Sequence, residues 1–351
     1  MQNCKFFIFF LLSIFIASCS DAAKIPDKPW HHTSKGFRNP EGSPKKKSWI
    51  NRFPWIVSRP FKLMFFGIPK LPPEHVMKKK EVVHGLKATA GKDTVTWLGH
   101  MTALLRIDGK SILTDPWLTS HASPVRPLGP KRYVKPALTT SELPPINFIV
   151  ISHSHFDHLD LPTIEAIPNR EKITAIVPLG IGKYFKEYGY KKIIELDWEK
   201  SVTEDGISFT ALPVIHWSKR SVFSTNDTLW TGWAIKGAGG TRVFFAGDAE
   251  YSSVYQDIAK RHGGFDLSLL SIGAFLPRVV MHGSHCVPED CIKIGNDMGA
   301  KNHLGMHWGT APLGDDTPLE ALRRFRNGAK TLGIPAGRVW IMKIGETRII
   351  E

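Results

Sequence analysis

Four side chains able to hold a metal fall within six positions: His153, His155, Asp157 and His158, spaced His-x-His-x-Asp-His. Imidazole and carboxylate donors without cysteine suit zinc, manganese or iron. On an extended segment His153 and His155 point the same way, because side chains alternate faces. Asp157 and His158 then lie past the strand, in a turn. This spacing can divide the ligands between two neighbouring metals. Such a pair would lower the pKa of a shared water and neutralise an anionic substrate, which is hydrolytic chemistry.

Three later residues could complete the shell. His216 follows Leu212-Pro213-Val214-Ile215, Asp248 follows Val243-Phe244-Phe245-Ala246-Gly247, and His307 follows His303-Leu304-Gly305-Met306. A single histidine of this kind is more often a hydrogen-bonded structural residue. Three in succession, after the first motif, weigh against that reading.

These residues need strands to deliver them. Phe148-Ile149-Val150-Ile151 is an apolar run entering His153 and reads as a buried strand. Val95–Leu98, Ala103–Ile107 and Ser111–Thr114 read as a meander, separated by Gly99 and by Asp108-Gly109. Residues 116–146 lack periodicity and read as a long surface loop, which in a compact domain tends to be functional. Further strands are expected at Ile173–Val177, Ile207–Val214, Trp230–Ile235, Val243–Ala246 and Leu267–Ile272. Helices are expected at Leu161–Ile167, Ile181–Tyr188, Tyr251–Arg261, Pro288–Met298 and Thr317–Phe325. Val339–Ile344 and Thr347–Ile350 are expected to close the chain as a hairpin around Gly345-Glu346. Helices following strands in each half predict an α/β fold, a four-layer αββα sandwich.

The chain has 351 residues, 42% hydrophobic and 22% charged, which is ordinary globular composition and argues against disorder. Its net charge of +14 favours phosphate-bearing partners: anionic lipid, nucleic acid or a phosphorylated small molecule. The plainer reading of that charge is solubility.

Residues 1–18 read as a lipoprotein signal peptide. Lys5 precedes an apolar run from Phe6 to Ala17, too short to span a bilayer comfortably. Ile16-Ala17-Ser18-Cys19 looks like a lipobox, so Cys19 is expected to carry the lipid. Ser20 at the next position favours the outer membrane, facing the periplasm of a bacterial envelope. Such a location leaves no nucleic-acid partner expected.

Residues 19–92 form a basic, proline-punctuated tether and arm, with Lys45-Lys46-Lys47 and Lys78-Lys79-Lys80 among large aromatics. The arm either packs on the domain or faces a membrane, with aromatics at headgroup level. Residues 93–351 make the hydrolase domain. Cys4 leaves with the signal peptide, so Cys286 and Cys291 are the remaining thiols, and no disulfide framework is implied. The two could pair in an oxidising compartment, whereas a helical i,i+5 placement would hold them too far apart to join.

Taken with Thr96-Trp97-Leu98-Gly99-His100, Leu113-Thr114-Asp115-Pro116, Gly129-Pro130-Lys131-Arg132, Ser141-Glu142-Leu143-Pro144-Pro145-Ile146, His216-Trp217-Ser218-Lys219-Arg220 and His307-Trp308-Gly309-Thr310, the chain resembles the metallo-β-lactamase superfamily. Within it, the chain is similar to the N-acylphosphatidylethanolamine-hydrolysing phospholipases D. The resemblance covers roughly residues 90–325, with Phe37-Arg38-Asn39-Pro40 as an addition. It implies two zinc ions, with manganese or iron as substitutes. His153, His155 and His216 would hold one, Asp157, His158 and His307 the other, and Asp248 would bridge them. Asp115 would complete the catalytic set by orienting a ligand histidine from behind, the alternative being a turn residue before Pro116. His285 would supply an active-site imidazole, with His282 as competitor. The implied substrate is a phospholipid. Other phosphodiesters, a lactone or a β-lactam are the enzymatic alternatives, and a non-catalytic surface lipoprotein is the remaining one.

Overall fold

A computed structural model describes residues 27–46, 48–65, 69–125, 128–221 and 223–351. The signal sequence and Cys19 lie outside the described residues.

In the arm, β1 (His32–Thr33) and β2 (Gly36–Phe37) form a small hairpin, followed by α1 (Trp49–Phe65) and α2 (Lys79–Ala88). The first large sheet contains β3 (Thr94–Gly99), β4 (Thr102–Ile107), β5 (Lys110–Thr114), β6 (Phe148–Val150), β7 (Thr174–Pro178) and β8 (Lys192–Leu196). The second contains β9 (Ser201–Glu204), β10 (Ile207–Leu212), β11 (Gly232–Gly237), β12 (Arg242–Phe245), β13 (Phe265–Ser271), β14 (Ala300–Met306) and β15 (Val339–Trp340). The last strand, β16 (Thr347–Ile349), joins the first sheet beside β3.

The sheet orders are β16-β3-β4-β5-β6-β7-β8 and β15-β14-β13-β12-β11-β10-β9. Each sheet is antiparallel at one side and parallel at the other, the change falling at β5 and at β12. Parallel strands need crossovers. These are supplied by α3 (Leu161–Ala166), α4 (Gly182–Glu187), α5 (Val254–His262), α6 (Arg278–Met281) with α7 (Pro288–Asp297), and α8 (Pro318–Thr331). Helix α4 packs on β7 and β8, and α7 on β13 and β14.

The apolar faces of the two sheets meet in one core. Phe148 of β6 packs on Phe209 of β10 at 5.1 Å between ring centroids, and the Trp233 indole donates to the Ile151 carbonyl at 2.9 Å. The expected αββα sandwich is the observed architecture, with two mixed sheets at its centre.

Two expectations need correction, and two features were not anticipated. The C-terminal segment is not a hairpin: β15 pairs with β14 in one sheet and β16 with β3 in the other, so the chain crosses the sandwich between them. Local turn chemistry at Gly345 suggested a hairpin, but each strand finds an open sheet edge instead. Strands β8 and β9 were not anticipated, because charged and polar residues interrupt both. The arm is more ordered than its prolines imply. Its α2 buries Val82, and Met77 donates its N–H to the Ile344 carbonyl at 2.9 Å. Finally, the 116–146 segment is irregular but partly interior: Trp117 is fully buried, and Arg132 lies over its ring, donating to the Trp117 carbonyl at 2.6 Å.

Helix α1 differs from every other helix. Ile50, Phe53, Ile56, Val57 and Phe61 are exposed on it, while Arg59 and Lys62 bind Asp315 at 3.0 and 2.7 Å. Among the described residues no helix is long and apolar enough to cross a membrane.

Candidate metal centre

The chemistry-bearing residues gather where strands of both sheets end. Asp115 follows β5, the His153–His158 loop follows β6, His216 follows β10, Asp248 follows β12 and His307 follows β14. Carboxyl ends of parallel strands beside a change of strand direction are the usual crevice of such sheets. The turn after His155 is closed by its carbonyl, which accepts from His158 N at 3.1 Å and Leu159 N at 2.8 Å. Gly247 lets the two sheets' loops touch. It sits at φ +59, and a Cβ there would fall 2.5 Å from Ser152 Cβ. His100, Asp115 and His307 also adopt positive φ (54, 33 and 71), a conformation costly for non-glycine residues and tolerated where surroundings enforce it.

Two donor groups result. In the first, His153 Nε2 lies 2.7 Å and His216 Nε2 3.3 Å from His155 Nδ1. His216 Nδ1 donates to the Ser284 carbonyl at 2.8 Å. His153 Nδ1 donates to Ser152 Oγ at 2.9 Å, and Ser152 Oγ donates onward to Asp115. With the Nδ1 protons so engaged, both Nε2 atoms present lone pairs to His155. In the second group, Asp157, His158 and His307 are joined by His100. Asp157 Oδ2 is 3.3 Å from His158 Nε2 and 3.7 Å from His307 Nε2. Asp248 stands between the groups. Its Oδ2 is 3.0 Å from His158, 3.9 Å from His216 and 4.0 Å from His153, and its Oδ1 is 3.4 Å from His307.

These residues fit divalent metals. His155 Nε2, His158 Nε2, His307 Nε2 and Asp248 Oδ1 are buried without a hydrogen-bond partner. Buried polar atoms converging without a hydrogen-bond partner are costly unless a cation shares them. The charge balance agrees. Burial and the neighbouring imidazoles push His153 well below its ordinary value, burial likewise dominates at His216, and His155 falls to about 3. Burial opposes ionisation of Asp157 and Asp248, but His158 together with His307 and, at Asp157, His100 outweighs it and holds both well below the usual carboxylate range. Against the same burial, Asp248 raises His158 strongly and His307 to about 9. Without metal, two imidazolium protons thus balance the two carboxylates, a task divalent cations would take over.

Asp115 is fully buried behind the centre, accepting from His158 Nδ1 at 2.7 Å and from Ser152 N at 2.7 Å. It orients ligands and does not reach the cavity. His285 does reach it, with Nε2 3.8 Å from Asp248 Oδ2. Burial lowers His285 to about 3, so the ring is neutral. His282 turns outward, its Nδ1 3.5 Å from Glu250 Oε2.

The sequence leaves the pairing of the two cysteines open, and the structure decides it. Cys286 and Cys291 form a disulfide, with Cα atoms 5.5 Å apart. Cys286 lies in the turn before α7 rather than inside it, which shortens the span that a continuous helix would impose. Cys286 N also donates to the Ala249 carbonyl at 2.8 Å, which holds His285 beside Asp248.

The centre floors a cavity of about 520 Å³. Phe156, Trp217, Val280, Met281 and Leu313 make apolar walls, and Lys46, Arg52, Lys219 and Arg220 bring four cations to it. Lys46 Nζ sits 3.3 Å from the Trp217 ring centroid. Burial, then Arg52 and Lys219, push the Lys46 ammonium well below its ordinary value. Among the described residues Lys46, Arg52 and Lys219 have no acidic partner within ion-pair distance. Arg220 has a structural task as well, donating to the Ser154 and Leu159 carbonyls at 3.1 and 2.6 Å and so bracing the ligand loop.

Two functional positions escaped the sequence reading. His100 Nε2 donates to Asp157 Oδ2 at 2.9 Å, and its N–H is held by Thr310 Oγ1 at 2.9 Å. A histidine in the turn directly after a strand was the available signal. Asn39 grips His216 through both backbone groups, at 2.8 and 3.1 Å, and its Oδ1 accepts from the Trp230 indole at 3.0 Å. Nothing local in the sequence marks that role.

Comparison with known proteins follows this geometry. The family profile described as "Beta-lactamase superfamily domain" matches residues 110–308. An uncharacterized protein of Mycobacterium tuberculosis is 37% identical over 244 residues, spanning 67% of this chain but only 64% of the relative's length. N-acyl-phosphatidylethanolamine-hydrolyzing phospholipase D 1 of Caenorhabditis elegans is 36% identical over 266 residues, covering 70% of this chain and 74% of that protein. Among solved structures, the metallo-beta-lactamase fold protein YhfI of Bacillus subtilis superposes with a TM-score of 0.50 at 18% identity. That match covers 73% of this chain and 99% of the other.

Proposed function

This chain belongs to the beta-lactamase superfamily as a metal-dependent hydrolase of the metallo-β-lactamase fold, and from that premise we propose that it cleaves a phosphodiester in a membrane phospholipid. The favoured substrate is N-acylphosphatidylethanolamine, giving N-acylethanolamine and phosphatidic acid. The observation that carries this reading is the cavity. Its floor is a two-group donor set sharing Asp248, its walls are apolar, and Lys46, Arg52 and Lys219 reach it without an acidic partner among the described residues. A substrate that matches has an anionic centre joined to hydrocarbon chains. The name of the C. elegans relative points the same way.

Two zinc ions, or manganese or iron, would be held by His153, His155 and His216 and by Asp157, His158 and His307, with Asp248 between them. When bound, such a pair supplies an activated water and neutralises phosphate oxygens. The chain's own residues do the rest. Lys46 and Lys219 draw the phosphate to the floor. Phe156, Trp217 and Met281 hold acyl chains and exclude water. Water adds to phosphorus as the bond to the ethanolamine oxygen breaks. His285, kept neutral, takes up the proton that water loses and returns it to the departing ethanolamine oxygen, so N-acylethanolamine leaves as a neutral alcohol.

The arm supports a membrane site of action. Helix α1 exposes Phe53, Val57 and Phe61 near the same cations that reach the cavity, so it would lie in a headgroup layer rather than span the bilayer. Lipidated Cys19 would tether the chain to a bacterial envelope membrane, and the outer membrane facing the periplasm is the proposed location.

The test is direct. Metal-loaded protein is given N-acylphosphatidylethanolamine in vesicles, and N-acylethanolamine is measured by mass spectrometry, beside a soluble phosphodiester, a lactone and a β-lactam. Release of N-acylethanolamine is expected. Turnover of the lactone or β-lactam alone would overturn the phosphodiester reading.

A further inference from the structure

His31 and His32 of the arm meet Asp197, more than 160 positions along the chain. His31 Nε2 lies 2.6 Å from Asp197 Oδ1, and His32 Nε2 lies 2.8 Å from Oδ2. Consecutive residues on an extended segment point to opposite faces. Here both rings reach one carboxylate because the chain turns at this point, with His32 N donating to the Pro29 carbonyl at 2.9 Å. Aromatic neighbours fix the rings: Trp198 is 4.5 Å from His31 and Phe37 4.9 Å from His32, between centroids. Trp198 N donates to Asp197 Oδ1 at 2.8 Å and orients the carboxylate from behind. The His31 side chain is 4% exposed, those of His32 and Asp197 14%, so the group is shielded yet keeps one open side.

We propose that His31, His32 and Asp197 form a separate mononuclear site for zinc or a similar divalent transition metal, with water as the fourth ligand. Two imidazoles and one carboxylate are a donor set that zinc accepts while leaving a position open. At present each ring turns its Nε2 directly to the carboxylate. Around a tetrahedral zinc the donor atoms stand about 3.3 Å apart, so the group opens by roughly half an ångström.

The site would act as a clip. It joins the arm to the turn after β8, and further along the same arm Asn39 holds the backbone of His216 and the Trp230 indole. An ion bound there keeps that brace on a residue of the dinuclear centre without touching substrate.

The test counts metal. Full-length chain is stripped, reloaded with zinc, desalted and analysed by plasma mass spectrometry, beside Asp197→Asn and the double variant His31→Gln/His32→Gln. The wild type is expected to hold one more zinc per chain than either variant. In an Asp248→Ala background, cobalt(II) should still give visible d–d absorption, and adding Asp197→Asn should lower it by the share of one bound ion. Equal zinc counts in wild type and Asp197→Asn, with identical cobalt spectra in the two Asp248→Ala proteins, overturn the proposal. Asp197→Asn keeps the shape of the side chain and an Oδ1 acceptor for Trp198 N, so it guards against a result caused by unfolding of the double variant. Both readouts need no substrate, so they stand apart from success or failure of the phosphodiesterase reading.

Discussion

The floor of the cavity and the arm that reaches over it are built on opposite principles. On the floor, His153, His158, His216, Asp248 and His307 are each at most 3% exposed, and an interlocking set of donors and acceptors places them. In the arm, α1 leaves large apolar groups exposed, and Lys46, on the approach to it, has no acidic partner among the described residues. Buried charge must be balanced on the spot, so the floor is over-determined. Exposed apolar and cationic groups are balanced only by something that arrives. On the proposed function, the floor carries the reaction and the arm carries the encounter with substrate.

The sharpest way to break this contrast is at Asp248, the one carboxylate shared by both donor groups. Asp248→Ala should lower turnover to about one-thousandth or less, a loss of roughly 4 kcal/mol in transition-state stabilisation, with reduced metal content by elemental analysis. Asp115→Asn tests whether a residue that never reaches substrate matters nonetheless. Losing the acceptor for His158 Nδ1 should cost about 10–100-fold in metal affinity, measured by competition with a chelating dye.

The metal-free floor should also reveal itself through pH. His307 is raised to about 9 when folded, against about 6.5 unfolded. Its proton therefore stabilises the metal-free fold fully below pH 6.5, and that contribution disappears as pH rises through 9, on the order of 2–3 kcal/mol. Chelator-treated protein should lose urea midpoint over this window. Metal-loaded protein should not, since the cation replaces the proton. A flat profile for both would show that the carboxylates are balanced some other way.

Changes in the arm should be smaller and differently distributed. Lys46→Ala should raise KM for an anionic lipid about tenfold with kcat nearly unchanged, and weaken the dependence of kcat/KM on salt. Phe53→Asp/Phe61→Asp should reduce partition onto anionic vesicles by about tenfold in a sedimentation assay, with little change toward a short soluble diester. Equal loss on both substrates would mean that α1 supports the floor itself.

Much of the floor was legible because metal chemistry constrains residue types. His153, His155, Asp157 and His158 announce themselves by density, and His216, Asp248 and His307 by following apolar strands. Strand ends are local features, readable from runs such as Val243–Gly247. His100 and Asn39 were invisible as functional residues, since one acts through a carboxylate 57 positions away and the other through the backbone of His216. The cysteine pairing stayed open for a related reason. It depends on the direction the chain takes through the turn before α7, which residue type does not fix.

By itself, then, the amino-acid sequence determined the ligand set, the strand-rich α/β class and the positive charge, since each depends on residue type and short-range periodicity. Only the tertiary structure decided that the C-terminal strands part to opposite sheets, that Cys286 and Cys291 join, that His285 rather than His282 faces the cavity, and that His31 and His32 share Asp197. Each of these is a meeting between segments or a choice of direction, and it is settled by which sheet edge, carboxylate or crevice the folded chain brings within reach.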